Sequence, residues 1–413
     1  MGDEERLLSQ WLLCRRHGVC SRNMGNVHNH FNVTGRRPWL IVSAEFATTG
    51  GQDRANYALA CFLAARRQEV HLVAHRVAPE LRAEPNVVVH TAAMPLQSAF
   101  LGEALLQHIG TNCARVLGKR NAAVVVNGGN CDWPAANWVH YVHAVYERKP
   151  TGGLRRAWAR AAHVRFLRRE RRALSSARVI IANSYRTKSD LMKRLNVEAR
   201  HIHVVYYGVD RNVFRDPVPG EREHIRALLG LPSKRQLVLF VGALDSDRKG
   251  FDLLFEAWRI LCADRSFKAD VVVLGCGPDL GAWKARVAET QLHSRIHFLG
   301  FRKDVASIMR ICDVLVAPTR YEAYGLSIHE ALCCGLPALA SADAGVAELY
   351  PGELKELLIP NAPDVKQLVE LLRLFIKPPD RVRESLAAFS TRLRMRSWFD
   401  MAAEIFEITN NSC

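Results

Sequence analysis

No stretch of this sequence reaches the roughly 18 apolar residues that a membrane-spanning helix needs. A clear secretory leader is missing too: Leu7 to Leu13 is short, is interrupted by Ser9 and Gln10, and follows acidic residues. The eleven cysteines include no CxxC pair, so the common zinc spacings are excluded. Cys333 and Cys334 fall in an apolar helical run, and the odd, scattered set reads as reduced core thiols of a cytosolic protein. Repeats and low-complexity tracts are absent. Acidic residues are outnumbered 41 to 57 by basic ones, which leaves a net charge of +16 and calls for an anionic partner. No DNA- or RNA-binding motif accompanies that charge, so nucleic acid is not expected. At 413 residues, 49% hydrophobic and 24% charged, the chain has the composition of a globular protein and the length of two domains.

What is present centres on Thr319 to Ser341. Asp313 to Pro318 reads as a buried strand that ends at a proline. Glu322 follows in the loop, Gly325 opens a helix, and Glu330 lies about a turn and a half into it. The two carboxylates are eight residues apart, roughly 12 Å along a helix rising about 1.5 Å per residue. That matches a sugar joined to a diphosphate and a ribose. The helix start between them offers free amides and a dipole that favour phosphate. Taken alone, such a pair is more often two surface glutamates.

The surrounding residues change this. Pro318, Glu322, Gly325, Leu326, Glu330, Ala331, Gly335 and Pro337 together resemble the donor-site signature of retaining glycosyltransferases of family 4, which have the GT-B fold. Thr319 and Ala323 depart from it, standing where serine and glycine are usual.

Upstream, Trp39 to Ala44, the Gly50-Gly51 loop, a helix from Gln52 to Arg67 and Glu69 to Ala74 make a βαβ unit and so a parallel sheet. The paired glycines let a ligand approach the backbone closely. The resemblance gives this loop contact with donor phosphate or acceptor. Further strands are expected at Ala122 to Val126 and at Asn137 to His143. The resemblance ends the second strand with a histidine that faces the reacting sugar. His143 fits best and His140 is the alternative, since strand alternation sends the two to opposite faces. Asn127 and Asn183 end neighbouring strands and are candidates for the acceptor side, with Gly50 and His140.

Residues 148–172 contain ten Arg or Lys, with Leu154, Trp158, Ala162, Phe166 and Leu167 at helical spacing. Such a helix suits peripheral contact with anionic membrane. The plainer reading is a surface helix whose apolar stripe packs on the sheet.

Val204 to Asp210 reads VVYYGVD and resembles the interdomain linker of the family, with Tyr207 in place of asparagine. Gln236 to Gly242 is a strand, and Arg248-Lys249-Gly250 precedes the next helix. In the resemblance Lys249 binds the diphosphate. The arginine usual after the strand glycine is Ala243 here, and Arg248 stands in for it. Asp245-Ser246-Asp247 is formally a DxD metal motif, read here as accidental. Val271 to Pro278 supplies Gly275 and Gly277, and the resemblance implies that the loop with Phe301 borders the nucleotide base.

The expectations are therefore specific. The fold class is α/β, with two Rossmann-like domains facing a cleft. Residues 1–36 form an extension, 37–215 an acceptor domain, 216–390 a donor domain, and 391–413 a helix crossing back. The resemblance implies transfer of a hexose from a nucleotide-diphosphate sugar to an acceptor hydroxyl, with no metal or cofactor. Its catalytic set is His143, Arg248, Lys249 and Glu322. Its donor-binding set is Gly51, Gly242, Gly275, Gly277, Phe301, Gly325, Leu326 and Glu330. Alternatives are a sugar-nucleotide epimerase or phosphorylase of the same fold, or an inactive binding protein that uses its basic helix.

Overall fold

The computed structural model describes residues 37–412, apart from 96–97, 147–152, 246 and 362–363. The expected extension, residues 1–36, lies outside the described residues.

Near-continuous Val, Ile and Leu runs produce strands buried on both faces, as parallel sheets require. The first sheet holds β1 (Trp39–Val42), β2 (Val70–Ala74), β3 (Val87–Thr91), β4 (Ala123–Asn127), β5 (Ala136–Val139), β6 (Val179–Ala182) and β7 (Ile202–Val204). Its order is β3-β2-β1-β4-β5-β6-β7, all parallel, with Trp39 opposite both Val70 and Ala123. The second sheet holds β8 (Gln236–Val241), β9 (Ala269–Leu274), β10 (Ile296–Gly300), β11 (Val314–Ala317), β12 (Ala338–Ser341) and β13 (Leu358–Ile359), in the order β10-β9-β8-β11-β12-β13. In both sheets the strand order reverses beside the first strand, and ligands of such sheets bind at that carboxyl edge.

The helices that matter for the site are α1 (Gly51–Ala65), α2 (Ala99–Gly118), α3 (Gly153–Ser176), α4 (Tyr185–Leu195), α5 (Phe251–Ala263), α6 (Leu326–Cys333), α7 (Asp380–Arg394) and α8 (Trp398–Asn411). The expected boundary at residue 390 falls inside α7. Leu386, Phe389 and Leu393 of that helix join the core of the second domain, so the domain runs through Arg394. The helix then has to end, because Ser397 caps α8 in a reciprocal box with Asp400. α8 returns to the first domain, where Met401, Ala402 and Ile405 share a core with Trp39 and Phe62. The two crossing segments touch at Gly208, where a β-carbon would lie 2.0 Å from the Ser397 carbonyl oxygen. Only glycine fits there.

The expected strand Asn137 to His143 stops at Val139. Beyond it the backbone bonds elsewhere: the Val142 amide donates to the Tyr321 hydroxyl and the His143 amide to Glu170. The alternation rule for His140 and His143 therefore does not apply.

Candidate functional site

The carboxyl ends of both sheets face one another, and the loop from Pro318 to Gly325 lies between them. Gly325 has φ +102° and caps α6. A side chain there would press on Ile328, Val346 and the stem of Glu322 at 3.0–3.3 Å. The glycine thus sets the turn that opens α6, whose Ile328 and His329 amides bond back to its carbonyl, and a helix start favours an anion.

Glu322 is enclosed by the cations assigned to the diphosphate. Lys249 Nζ donates to its Oε2 at 2.5 Å, and Arg248 Nη1 lies 3.9 Å away. All three side chains keep a minority of their surface open: 14%, 17% and 22% for Glu322, Lys249 and Arg248. Arg248 also donates to the Tyr321 carbonyl at 3.3 Å and lies 5.9 Å over the ring of Tyr141. Lys249 reaches its place because Gly242 leaves room, a β-carbon there being 3.1 Å from the lysine stem.

Glu330 sits on α6, with its side chain 12% exposed. Burial pushes its carboxyl up to about 7, and Arg54, from the first turn of α1, opposes the shift from 3.7 Å. Gly51 is beside it, within 4 Å of Leu326 across the cleft once given a β-carbon. Behind Gly50, burial and neighbouring Glu45 push Asp53 up to about 6. Glu322, Lys249, Arg248, Gly325, Leu326, Glu330 and the Gly50-Gly51 loop are thus brought together.

The two histidines take different roles. His143 keeps 38% of its side chain exposed, and its Nδ1 donates to Glu170 Oε1 at 3.1 Å. Glu170 comes from α3, is 1% exposed, and also accepts the His143 backbone amide at 3.0 Å. Phe166 stacks on the imidazole at 5.3 Å. The free face of His143, oriented by a buried carboxylate, fits a group that meets substrate. His140 is instead tied on both nitrogens, by Tyr207 and by Asn127. Burial holds it near 3, hence neutral. Asn127 and Asn183 do not line the acceptor surface. They are 3% and 1% exposed and serve this same buried network.

Gly275 and Gly277 sit where two strand-end loops close on each other. Side chains on them would meet the Gly242 and Leu244 carbonyl oxygens at 1.9 and 2.3 Å, so they let two strand-end loops lie backbone on backbone. Phe301, just after β10, is 64% exposed and free to stack on a flat ligand. Asp247 of the DxD accepts the Tyr146 hydroxyl, and Arg320 bonds both Asp252 oxygens. Among the described residues, no group of three or more His, Cys, Asp or Glu is placed to hold a metal. The cysteines among them are free. A concavity of about 510 Å³ lined by Asp216, Arg310, Asp313 and Cys334 opens at the far end of α6, away from these groups.

Sequence reasoning missed Arg54, Glu170, Tyr207 and Arg320. Glu170 had a signal: it is a lone acid within Arg168 to Arg172. Tyr207 had one as well, as a departure from the asparagine of the linker pattern.

Comparison with known proteins is consistent with this geometry. The family model described as Glycosyl transferases group 1 matches residues 221–392, and that of Glycosyltransferase Family 4 matches residues 49–213. A D-inositol 3-phosphate glycosyltransferase of Xylanimonas cellulosilytica is 27% identical over 253 residues, 58% of each chain. The chain spans about half the length of the curated relatives it matches. The crystal structure of WaaG, a glycosyltransferase involved in lipopolysaccharide biosynthesis, superposes with a TM-score of 0.72 at 20% identity, covering 90% of this chain and 99% of that one. Anabaena HepE in complex with UDP-glucose gives 0.64 at 18% identity, covering 91% and 99%. At these identities the two structures speak for the fold alone.

Proposed function

Since this chain belongs to the glycosyl transferases group 1 family, with the GT-B architecture, we propose that it is a retaining hexosyltransferase that uses a nucleotide-diphosphate sugar. The observation that carries this reading is the line Lys249–Glu322–Gly325–Glu330. It sets cations, a helix start and two carboxylates along one wall of the cleft. The HepE complex with UDP-glucose supports a nucleotide sugar as the class of donor.

On donor binding, Lys249 and Arg248 turn from Glu322 to the diphosphate. Glu322 is then free to orient hydroxyls of the sugar, and Glu330 accepts hydrogen bonds from the ribose. The bond from the anomeric carbon to the phosphate oxygen breaks while the acceptor oxygen bonds that carbon on the same face. The acceptor proton passes to the departing phosphate. Fixed positive groups at a developing anion are commonly the largest catalytic term. His143, held by Glu170, contacts the sugar from the opposite domain.

Beside His143, α3 presents Arg160, Arg168 and Arg171 at the surface. Their charge supports an acceptor or membrane surface that is itself anionic; residues 148–152 of that basic segment lie outside the described residues. Among the described residues no helix is long and apolar enough to cross a membrane.

The test is turnover of nucleotide sugars by the wild type, Lys249→Ala and Glu330→Ala. Unchanged turnover in either variant would remove the site assignment. Sedimentation with neutral and anionic vesicles tests the surface of α3: equal binding to both would refute an electrostatic contact.

A further inference from the structure

Tyr207 lies in the linker between the domains and is 3% exposed. Its hydroxyl accepts a hydrogen bond from Asn183 Nδ2 at 3.2 Å and is bonded to His140 Nδ1. A phenol has one proton to give. With Asn183 donating to the oxygen, that proton goes to Nδ1, so Nδ1 is bare and the ring proton sits on Nε2. The Asn127 amide lies 3.3 Å from Nε2, and its Oδ1 is buried without a partner. Turning that amide over lets Oδ1 accept Nε2–H, in exchange for the 3.4 Å bond from Nδ2 to the Trp138 carbonyl. A directional chain results: Asn183 to Tyr207, Tyr207 to His140, His140 to Asn127.

Each member marks a strand end. Asn127 closes β4, His140 follows β5 and Asn183 follows β6. Asn183 also donates to the His140 carbonyl at 3.1 Å. The ring of Tyr207 packs edge-on against Tyr324 at 4.7 Å and lies 5.8 Å from Trp398 of α8. Tyr324 stands between Glu322 and Gly325, and its hydroxyl is 2.6 Å from His329, the neighbour of Glu330. One phenol thus joins three strand ends of the first domain to the donor loop of the second. Burial keeps both partners uncharged, holding the imidazole down to about 3 and the phenol above its usual range.

We propose that Tyr207 is a positioning residue for the transfer reaction: it locks His140 as the Nε2–H tautomer and thereby fixes the 140–143 turn, which carries His143, against the donor loop. This rests on the cleft being the transfer site. The lock itself is read without activity.

The variant is Tyr207→Phe, which keeps the ring packing and removes only the hydroxyl. Long-range proton–nitrogen correlation spectra of histidine-labelled protein report the tautomer. The wild type is expected to show His140 with a bare Nδ1 and a protonated Nε2, and the variant to lose that single state. In turnover, kcat is expected to fall about tenfold or more, the order of effect that small misplacement of reacting groups produces. KM for the donor is expected to stay within about twofold, because its contacts on α6 remain. A melting curve close to wild type shows that the fold is kept. Nδ1–H in the wild type, an unchanged His140 spectrum in the variant, or an unchanged kcat would each overturn the proposal. Were Glu330→Ala to leave turnover intact, the reading of the cleft would fall, while the spectra would still decide the lock.

Discussion

With Glu330 as the ribose ligand proposed above, donor binding should depend on pH in the neutral range. Only the ionised carboxylate accepts both ribose hydroxyls, and burial raises this carboxyl to about 7 against the opposing pull of Arg54. The raised value means that the proton is retained as pH falls through 7, and donor affinity is lost with it. At pH 8 roughly ten in eleven molecules carry the charge; at pH 6 roughly one in eleven does. The dissociation constant is therefore expected to rise about tenfold between them, equivalent to about 1.4 kcal/mol. Binding at pH 7 should release about half a proton, which calorimetry in buffers of different ionisation enthalpy counts directly. The ligand should be an intact nucleotide sugar, whose diphosphate is esterified at both ends; a free terminal phosphate titrates near 6 and would confuse the reading. Arg54→Ala removes the opposing charge, so the midpoint should move to higher pH and affinity at pH 7 should drop. Glu330→Gln should bind weakly and flatly. Affinity independent of pH from 6 to 8 in the wild type, with no proton released, would refute this reasoning.

Other outcomes follow from the same geometry. Lys249→Ala should lower kcat by about a hundredfold or more, since a fixed cation at the departing diphosphate is removed; single-turnover kinetics check this. Glu170→Gln should lower kcat roughly tenfold through misplacement of His143 while leaving donor affinity by calorimetry unchanged. Gly275→Ala should destabilise by more than about 2 kcal/mol, because its β-carbon would lie 1.9 Å from the Gly242 oxygen at φ +149°. Denaturant unfolding measures that loss.

How far the sequence could be read depended on the range of the interactions. Glu322, Gly325 and Glu330 were legible because they fall within nine consecutive residues, a loop, a cap and the helix it opens. The βαβ units were legible for the same reason, their apolar runs and glycine loops being local. The strand Asn137 to His143 was not. Its apolar alternation continues past Val139, but the Val142 and His143 amides are taken by Tyr321 and Glu170, 179 and 27 residues away. Asn127 and Asn183 end strands as expected, yet their amides are consumed by Tyr207, by His140 and by backbone carbonyls, which no local pattern encodes. The boundary of the second domain moved to Arg394 because α7 is held by tertiary packing of Leu386, Phe389 and Leu393, which the local sequence pattern left undivided. Arg54 and Glu330 meet only because the two sheets face each other.

The most direct test is thermal stability of the wild type, Lys249→Ala and Glu330→Ala with UDP, GDP, ADP and dTDP. A ligand that binds only the folded state stabilises it by about 2.7 kcal/mol at a hundredfold excess over its dissociation constant. One of the four should raise the wild-type melting temperature clearly and do much less in both variants. No shift with any of them, or the same shift in all three proteins, would contradict a nucleotide-diphosphate site along α6.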